Sequence, residues 1–354
     1  MLVLRGFHHP AIAPACALTI GNFDGVHRGH QAMLALLNAE AAQRGVPSCV
    51  LTFEPHPRDY FAAALHKPEL APARVGTLRD KLSELARFGV QQTVVLRFDA
   101  QLAGQSPETF INDVLVRGLG ARYVLVGDDF RFGRQRAGDY RLLAQAGQQR
   151  GFDVARMNSY EITYPQASTN AAEPVRVSSS EVRAALAAGR MDDAAQLLGR
   201  PYAISGHVVH GRKLGRALGE ASSGAGDGFR TLNLRFAHWK PAASGIFAVW
   251  VHGLAAEALP GVANLGIRPS LDPSDVNGGR VLLETHCLEW PQHLGAEGAY
   301  GKIIRVELMH KLHDELRYDS LGALTAGIAR DCADARAWFA AHAETRRQTT
   351  RDRI

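Results

Sequence analysis

Cysteine is scarce in this chain. Cys16, Cys49, Cys287 and Cys332 are the only four in 354 residues, and no two lie close in sequence. That spacing excludes a CxxC-type zinc site and a small disulfide scaffold. Unpaired thiols fit a reducing compartment, so the expected location is cytoplasmic. Long apolar runs are also missing. No stretch approaches the roughly 20 residues of a membrane span, so no membrane partner is expected. Met1–Pro10 carries Arg5, His8 and His9 and reads as a poor signal peptide. The net charge is only +5, with no dense Lys/Arg block, so no nucleic-acid partner is expected either. A mildly basic surface of this kind tolerates small polyanions. No internal repeat is present.

What is there is an ordinary globular composition, 46% hydrophobic and 21% charged. The length suggests two domains, each able to bury its own core. In the first half, apolar strand-like runs at Ala17–Ile20, Cys49–Phe53, Thr93–Leu96 and Tyr123–Val126 alternate with helical stretches at His30–Arg44, Leu78–Phe88 and Pro107–Leu119. Such alternation predicts a parallel sheet covered by helices, with ligands beyond the C-terminal strand ends. Short helices follow at Ser179–Ala188 and Asp192–Leu198. After Arg200–Pro201 the texture changes to short strands with Gly and Pro punctuation: Tyr202–Val209, Thr231–Leu234, Ile246–Val251, Arg280–Cys287 and Ile303–Leu308. These predict a small antiparallel barrel, closed by a helix over Ser320–His342. The expected division is therefore residues 1–186, a helical linker at 187–200, a barrel domain at 201–342 and a polar tail at 343–354.

The strongest local signal is Gly21-Asn22-Phe23-Asp24-Gly25-Val26-His27-Arg28-Gly29-His30, between the first strand and the first helix. Its glycines permit tight turns and close ligand approach. A helix start offers free N–H groups and a positive dipole end to phosphate. His27 and His30, three apart, share a face there and can donate to phosphate oxygens as charge builds up. No Gly-Lys-Ser/Thr follows, so this is not a Walker loop. Three further segments lie past strand ends or at a helix start: Thr52–Pro57, Val126–Gly133 and Arg176–Arg183.

Together these segments resemble the nucleotidyltransferase superfamily and, more narrowly, the adenylyltransferase half of bacterial bifunctional riboflavin kinase/FAD synthetases. The resemblance implies a Rossmann-like α/β domain in which the phosphate of FMN attacks the α-phosphorus of ATP. It also implies that His27 and His30 serve the phosphates, while Arg176, Ser178, Ser179 and Arg183 hold the departing β- and γ-phosphates. Gly21, Asn22, Phe23, Asp24 and Asp129 would line the nucleotide–flavin cleft, and Mg2+ would travel with ATP.

In the second half, Gly206–Gly211 leads into the basic, glycine-bearing loop Arg212–Gly219. Such a loop can wrap phosphates through backbone N–H groups. Thr231 and Asn233 alternate along one strand and so share a face, where a hydroxyl and an amide oxygen could hold hydrated magnesium. Glu284, on another strand, could accept a proton from a substrate hydroxyl. With Gly245–Val249, Gly261–Pro269 and Tyr300–Lys302, these segments resemble the riboflavin kinase domain, over about Tyr202 to Trp338. The resemblance implies attack of the ribityl 5′-hydroxyl on the γ-phosphate of ATP, with Glu284 as general base. It assigns Thr231 and Asn233 to the magnesium–nucleotide pair, and Gly211, Gly215 and Arg216 to the phosphate loop. One departure stands out: Glu220–Asp227 interrupts the loop before Gly228-Phe229, and Arg230 replaces the family's proline. A competing reading keeps only the adenylyltransferase active, over a kinase-impaired, flavin-binding barrel. The expected partners are small molecules (riboflavin, FMN, FAD and ATP), and a homo-oligomer is compatible with this reading.

Overall fold

The computed structural model describes residues 1–165, 172–210, 231–235, 240–266, 281–295 and 297–342. The chain divides into two compact units. The first comprises Met1–Pro72, Asp80–Pro165 and the segment leading to Ser179; the second comprises Ala73–Arg79 and the chain from Ser180 onward.

In the first unit the elements run β1 (Leu2–Arg5), β2 (Cys16–Ile20), α1 (Arg28–Arg44), β3 (Ser48–Glu54), α2 (Pro57–Ala64), α3 (Leu78–Arg87), β4 (Gln92–Arg97), α4 (Ala100–Gly104) and α5 (Pro107–Thr109). A π-helix (Phe110–Gly118), β5 (Ala121–Gly127), α6 (Tyr140–Arg150), β6 (Asp153–Met157), β7 (Glu161–Pro165) and β8 (Ala172–Arg176) complete it. Six strands form one parallel sheet in the order β1-β4-β3-β2-β5-β6. β2 is buried at every position and most of β3 is buried too. That is the pattern of central strands covered on both faces. Leu34, Leu37 and Ala41 of α1 pack one face with Ala17 and Val50. Phe110, Ile111, Val114 and Leu115 of the π-helix pack the other with Leu18 and Ile20.

The strand order reverses direction at β2, whose neighbours are β3 and β5. Segments leaving the C-terminal ends of β2, β3 and β5 therefore meet at one crevice. These are Gly21–His30, Thr52–Pro57 and the chain from Gly127 onward, all three picked out from sequence. The expected strands each extend by one to three residues. β1, β6 and the β7–β8 hairpin were not anticipated, because short, half-exposed strands carry little periodic signal. The predicted helix over Pro107–Leu119 is instead a short α-turn followed by the π-helix.

In the second unit, α7 (Ser179–Ala187), α8 (Met191–Leu198), β9 (Tyr202–Val209), β10 (Thr231–Arg235), β11 (Gly245–His252), β12 (Leu259–Gly266), β13 (Leu282–Cys287), β14 (Ile303–His313) and α9 (Leu321–Ala341) follow in order. Six strands close a barrel in the order β10-β13-β12-β11-β14-β9, with antiparallel pairing throughout. Leu232, Leu234, Phe247, Ala263, Leu265, Leu283, Ile304, Val306 and Leu308 are buried at alternating positions and fill it. On the outside, Ile246, Ala248 and Val262 are buried together with Cys332 and Ala335 of α9. β12 was missed because Pro260, Gly261 and Gly266 disguise it as a loop. All four cysteines are buried free thiols.

Candidate active sites

In the first unit the turn between β2 and α1 is held in an unusual backbone. Phe23 and Val26 adopt left-handed φ values of 49° and 42°. A β-branched residue there is a true outlier, and such strain persists only where the surroundings enforce it. Phe23 supplies part of that enforcement. It is fully buried in the core and its ring lies 4.8 Å from that of His30. The Phe23 side chain, expected at the nucleotide–flavin cleft, packs in the core beneath the His30 ring. β3 holds the turn from the side, since Gly21 N–H donates to the Leu51 carbonyl and the Thr52 hydroxyl to the Asn22 carbonyl.

His27 is the N-cap of α1, its Nδ1 accepting from the His30 N–H at 3.3 Å. The two imidazoles stack with centroids 3.6 Å apart, 18° from parallel. Gly29 between them is tightly enclosed: a Cβ there would press on the His27 ring and the Val177 carbonyl, each at 3.3 Å. No acidic side chain occupies the first turn of α1, so its positive end is not compensated internally. The Asn22 side-chain oxygen is buried without a hydrogen-bond partner. A buried acceptor of this kind costs stability unless a ligand or water meets it.

One other expected residue contacts this turn. The Ser179 hydroxyl, at the start of α7, donates to the Asp24 carbonyl at 2.9 Å. Asp24 itself is buried. Arg176, at the end of β8, reaches Asp128 at 3.2 Å and Asp129 at 3.9 Å. A hydrogen bond from Ser159 and the Arg176 guanidinium hold the Asp128 carboxyl below its usual range. Arg183, in the second unit, donates from Nε to the Ala73 carbonyl at 2.6 Å. Ser178 precedes α7 directly.

One residue of this site was not foreseen. Lys81 on α3 is 4% exposed, and its ammonium lies 3.3 Å from the Thr52 hydroxyl that in turn holds Asn22. A signal existed: Lys81 interrupts the apolar stripe of Leu78 and Leu85 at helical spacing, and a buried lysine requires partners.

In the second unit the barrel sets a row of polar side chains by register alone. On β13, Glu284 stands opposite Asn233 of β10 on one side and Asn264 of β12 on the other. Thr231 stands opposite His286, two positions along the same face. Directly opposed Cβ atoms lie about 4.5–5.5 Å apart, so the three side chains are neighbours. Asn233 is buried; its Nδ2 donates to the Thr231 carbonyl at 3.4 Å and its Oδ1 has no partner. Hydroxyl, amide oxygen and carboxylate are hard oxygen donors, the set that magnesium accepts. Gly211, Gly215, Arg216, the Glu220–Asp227 insert and Arg230 lie outside the described residues.

Comparison with known proteins matches both halves. Residues 9–171 match the FAD synthetase family and residues 198–339 the riboflavin kinase family. The bifunctional riboflavin kinase/FMN adenylyltransferase of Escherichia coli strain K12 is 42% identical over 341 residues, covering 96% of this chain and 98% of its own. The chain belongs to the bifunctional riboflavin kinase/FMN adenylyltransferase family. Members so named from Pseudomonas fluorescens and Haemophilus influenzae are 39% and 37% identical, over 95% and 96% of this chain and 97% and 99% of theirs. A solved structure titled as a macrolide-efflux protein from Streptococcus pneumoniae aligns over 96% of this chain and all of its own, with a TM-score of 0.68. At 22% identity that likeness speaks for the fold alone. No described helix is long and apolar enough to cross a membrane. Among the described residues there is no group of three or more His, Cys, Asp or Glu that could hold a metal ion.

Proposed function

We propose that this chain converts riboflavin to FMN in its barrel unit and FMN to FAD in its sheet unit, using ATP twice. The observation that carries the reading is the order of two flavin-enzyme families along one chain. The domain division adopted is residues 1–186 for the adenylyltransferase, 187–200 for a linker, 201–342 for the kinase and 343–354 for a tail.

In the kinase step, the ribityl 5′-hydroxyl of riboflavin attacks the γ-phosphorus of ATP and its proton passes to Glu284. The bond to the β-phosphate oxygen breaks and ADP leaves. Thr231 and Asn233 are assigned to Mg2+, which supplies charge neutralisation on the nucleotide phosphates when bound. Gly211, Gly215 and Arg216 are assigned to the phosphate loop.

In the adenylyltransferase step, an oxygen of the FMN phosphate attacks the α-phosphorus of ATP and pyrophosphate leaves. No protein nucleophile is required, so the residues position and stabilise charge. His27 and His30 are assigned to the phosphates at the uncompensated start of α1. Gly21, Asn22, Phe23, Asp24 and Asp129 are assigned to the nucleotide–flavin crevice, and Arg176, Ser178, Ser179 and Arg183 to the pyrophosphate. Asp128 and Asp129 flank the Arg176 guanidinium at 3.2 and 3.9 Å. The unpartnered side-chain oxygen of Asn22 supports its assignment, as an acceptor a bound ligand could satisfy. The reading includes a cytoplasmic location and no nucleic-acid or membrane partner.

The test is chromatography of products after incubating the protein with riboflavin, ATP and Mg2+. Sequential appearance of FMN and FAD is expected. FAD from added FMN but no FMN from riboflavin would replace this reading with an adenylyltransferase carrying an inactive barrel.

A further inference from the structure

Two hydrogen bonds away from the β2–α1 turn lies a buried cation with no assigned role. Lys81 is the one lysine among the described residues that is buried, at 4% exposure. Burying an ammonium is expensive even when it is hydrogen-bonded, and an apolar side chain of similar volume would fill the space at lower cost. Lys81 Nζ donates to the Thr52 hydroxyl at 3.3 Å, and that hydroxyl donates to the Asn22 carbonyl at 3.3 Å. Thr52 is itself fully buried. An ammonium can only donate, and a hydroxyl has a single proton. Lys81 therefore occupies a lone pair of Thr52 and leaves the Thr52 proton to Asn22. Two bonds in all anchor this part of the turn to β3, the second running from Gly21 N–H to the Leu51 carbonyl at 3.0 Å. Asn22 carries the buried, unpartnered side-chain oxygen, and Phe23 after it holds the left-handed φ of 49°.

Resting on the assignment of the Gly21–His30 turn to FAD formation, we infer that Lys81 is a positioning residue for that step: through the Thr52 hydroxyl it fixes the Asn22 backbone, and with it the acceptor that Asn22 offers to the substrates. Without the ammonium, the Thr52 hydroxyl can rotate its proton away and one of the two anchors loosens. A strained backbone keeps its φ only while its surroundings enforce it. Misplacing a positioning group by about 1 Å can cost on the order of 10²-fold in rate. Positioning that is realised in the transition state shows in kcat and leaves KM alone. The buried ammonium thus serves the rate of the step at a cost to the fold.

The experiment measures FAD formation from added FMN and, on the same full-length protein, FMN formation from riboflavin. Lys81→Met keeps an unbranched side chain and removes the charge and its donors. It is expected to lower kcat for FAD formation on the order of tenfold, with KM for FMN and ATP within about twofold. Its melting temperature should be unchanged or higher, because the cost of burying the ammonium is gone. FMN formation should not change. Thr52→Val breaks the same relay and should lower kcat to a similar extent, whereas Thr52→Ser keeps the hydroxyl and should stay near wild-type. The double variant Lys81→Met, Thr52→Val should be no slower than the slower single variant, within about twofold. Wild-type kcat in Lys81→Met, a rise in KM alone, equal losses in the Thr52 Val and Ser variants, additive losses in the double variant, or a loss of kcat with a lowered melting temperature or failure to fold would each overturn the inference. His30→Ala separates the failures. If it leaves FAD formation intact, the assignment of the turn is wrong; if it abolishes FAD formation while Lys81→Met is silent, only the role of Lys81 falls.

Discussion

The two candidate sites are built by opposite means. In the sheet unit one contiguous turn does most of the work, through a helix start, stacked imidazoles and a backbone forced into left-handed φ at Phe23 and Val26. In the barrel, three strands each lend one side chain, Asn233, Glu284 and Asn264, and pairing register puts them side by side. A turn of the first kind stores strain and depends on its bracing residues. A row of the second kind is as rigid as the ladder beneath it, and its chemistry resides in individual side chains. Single substitutions should therefore separate the two activities cleanly.

The sharpest break is Glu284→Ala. Loss of a general base should lower FMN formation by about 10²- to 10⁴-fold, while added FMN is still converted to FAD. Next is His30→Ala, which removes a donor at the charge-developing centre. It should lower FAD formation by roughly 10²- to 10³-fold and leave FMN accumulating from riboflavin. If either variant, still folded, lost both activities, the division into two independent sites would fail.

A smaller effect concerns the interrupted phosphate loop. Excising Glu220–Asp227 and introducing Arg230→Pro restores a fixed φ next to Thr231 and shortens a glycine-rich loop. Steady-state kinetics should show a severalfold lower KM for ATP in the kinase reaction alone. An unchanged KM would mean that the insert leaves nucleotide binding untouched.

The smallest effect is on barrel stability. His313 Nε2 lies 2.9 Å from Asp331 of α9, and its Nδ1 lies 2.6 Å from the Asp314 carbonyl. Burial disfavours the charged imidazole, but the Asp331 and Asp314 hydrogen bonds outweigh it and raise the pKa above 6.5. A raised folded-state value means the stabilisation is complete below about pH 6.5 and is lost as pH climbs through the higher folded value. His313→Gln should cost about 1 kcal/mol or less at pH 6 and nearly nothing at pH 9. Thermal melts at the two pH values check this, and a larger loss at pH 9 would contradict the sign.

The contiguous features were legible in the residues themselves. Buried strands read as apolar runs, β9 was bounded correctly, and Gly21–His30 advertised its turn because glycines and paired histidines act within ten residues. Lys81 hid inside a helix. Arg176 was read as a phosphate ligand, but its pairing with Asp128 crosses 48 positions and could not be read locally.

By itself the sequence determined two folding units of different class, the identity of the turn, and the residue types able to handle phosphate and protons. Those follow from local propensity and periodicity, which act over a few residues. The tertiary structure alone decided that β2 lies between β3 and β5, that Ser179 meets Asp24 across 155 positions, and that Glu284 stands between two asparagines. Strand order and register arise from burying whole faces at once, and no local stretch of chain encodes which distant partner completes a face.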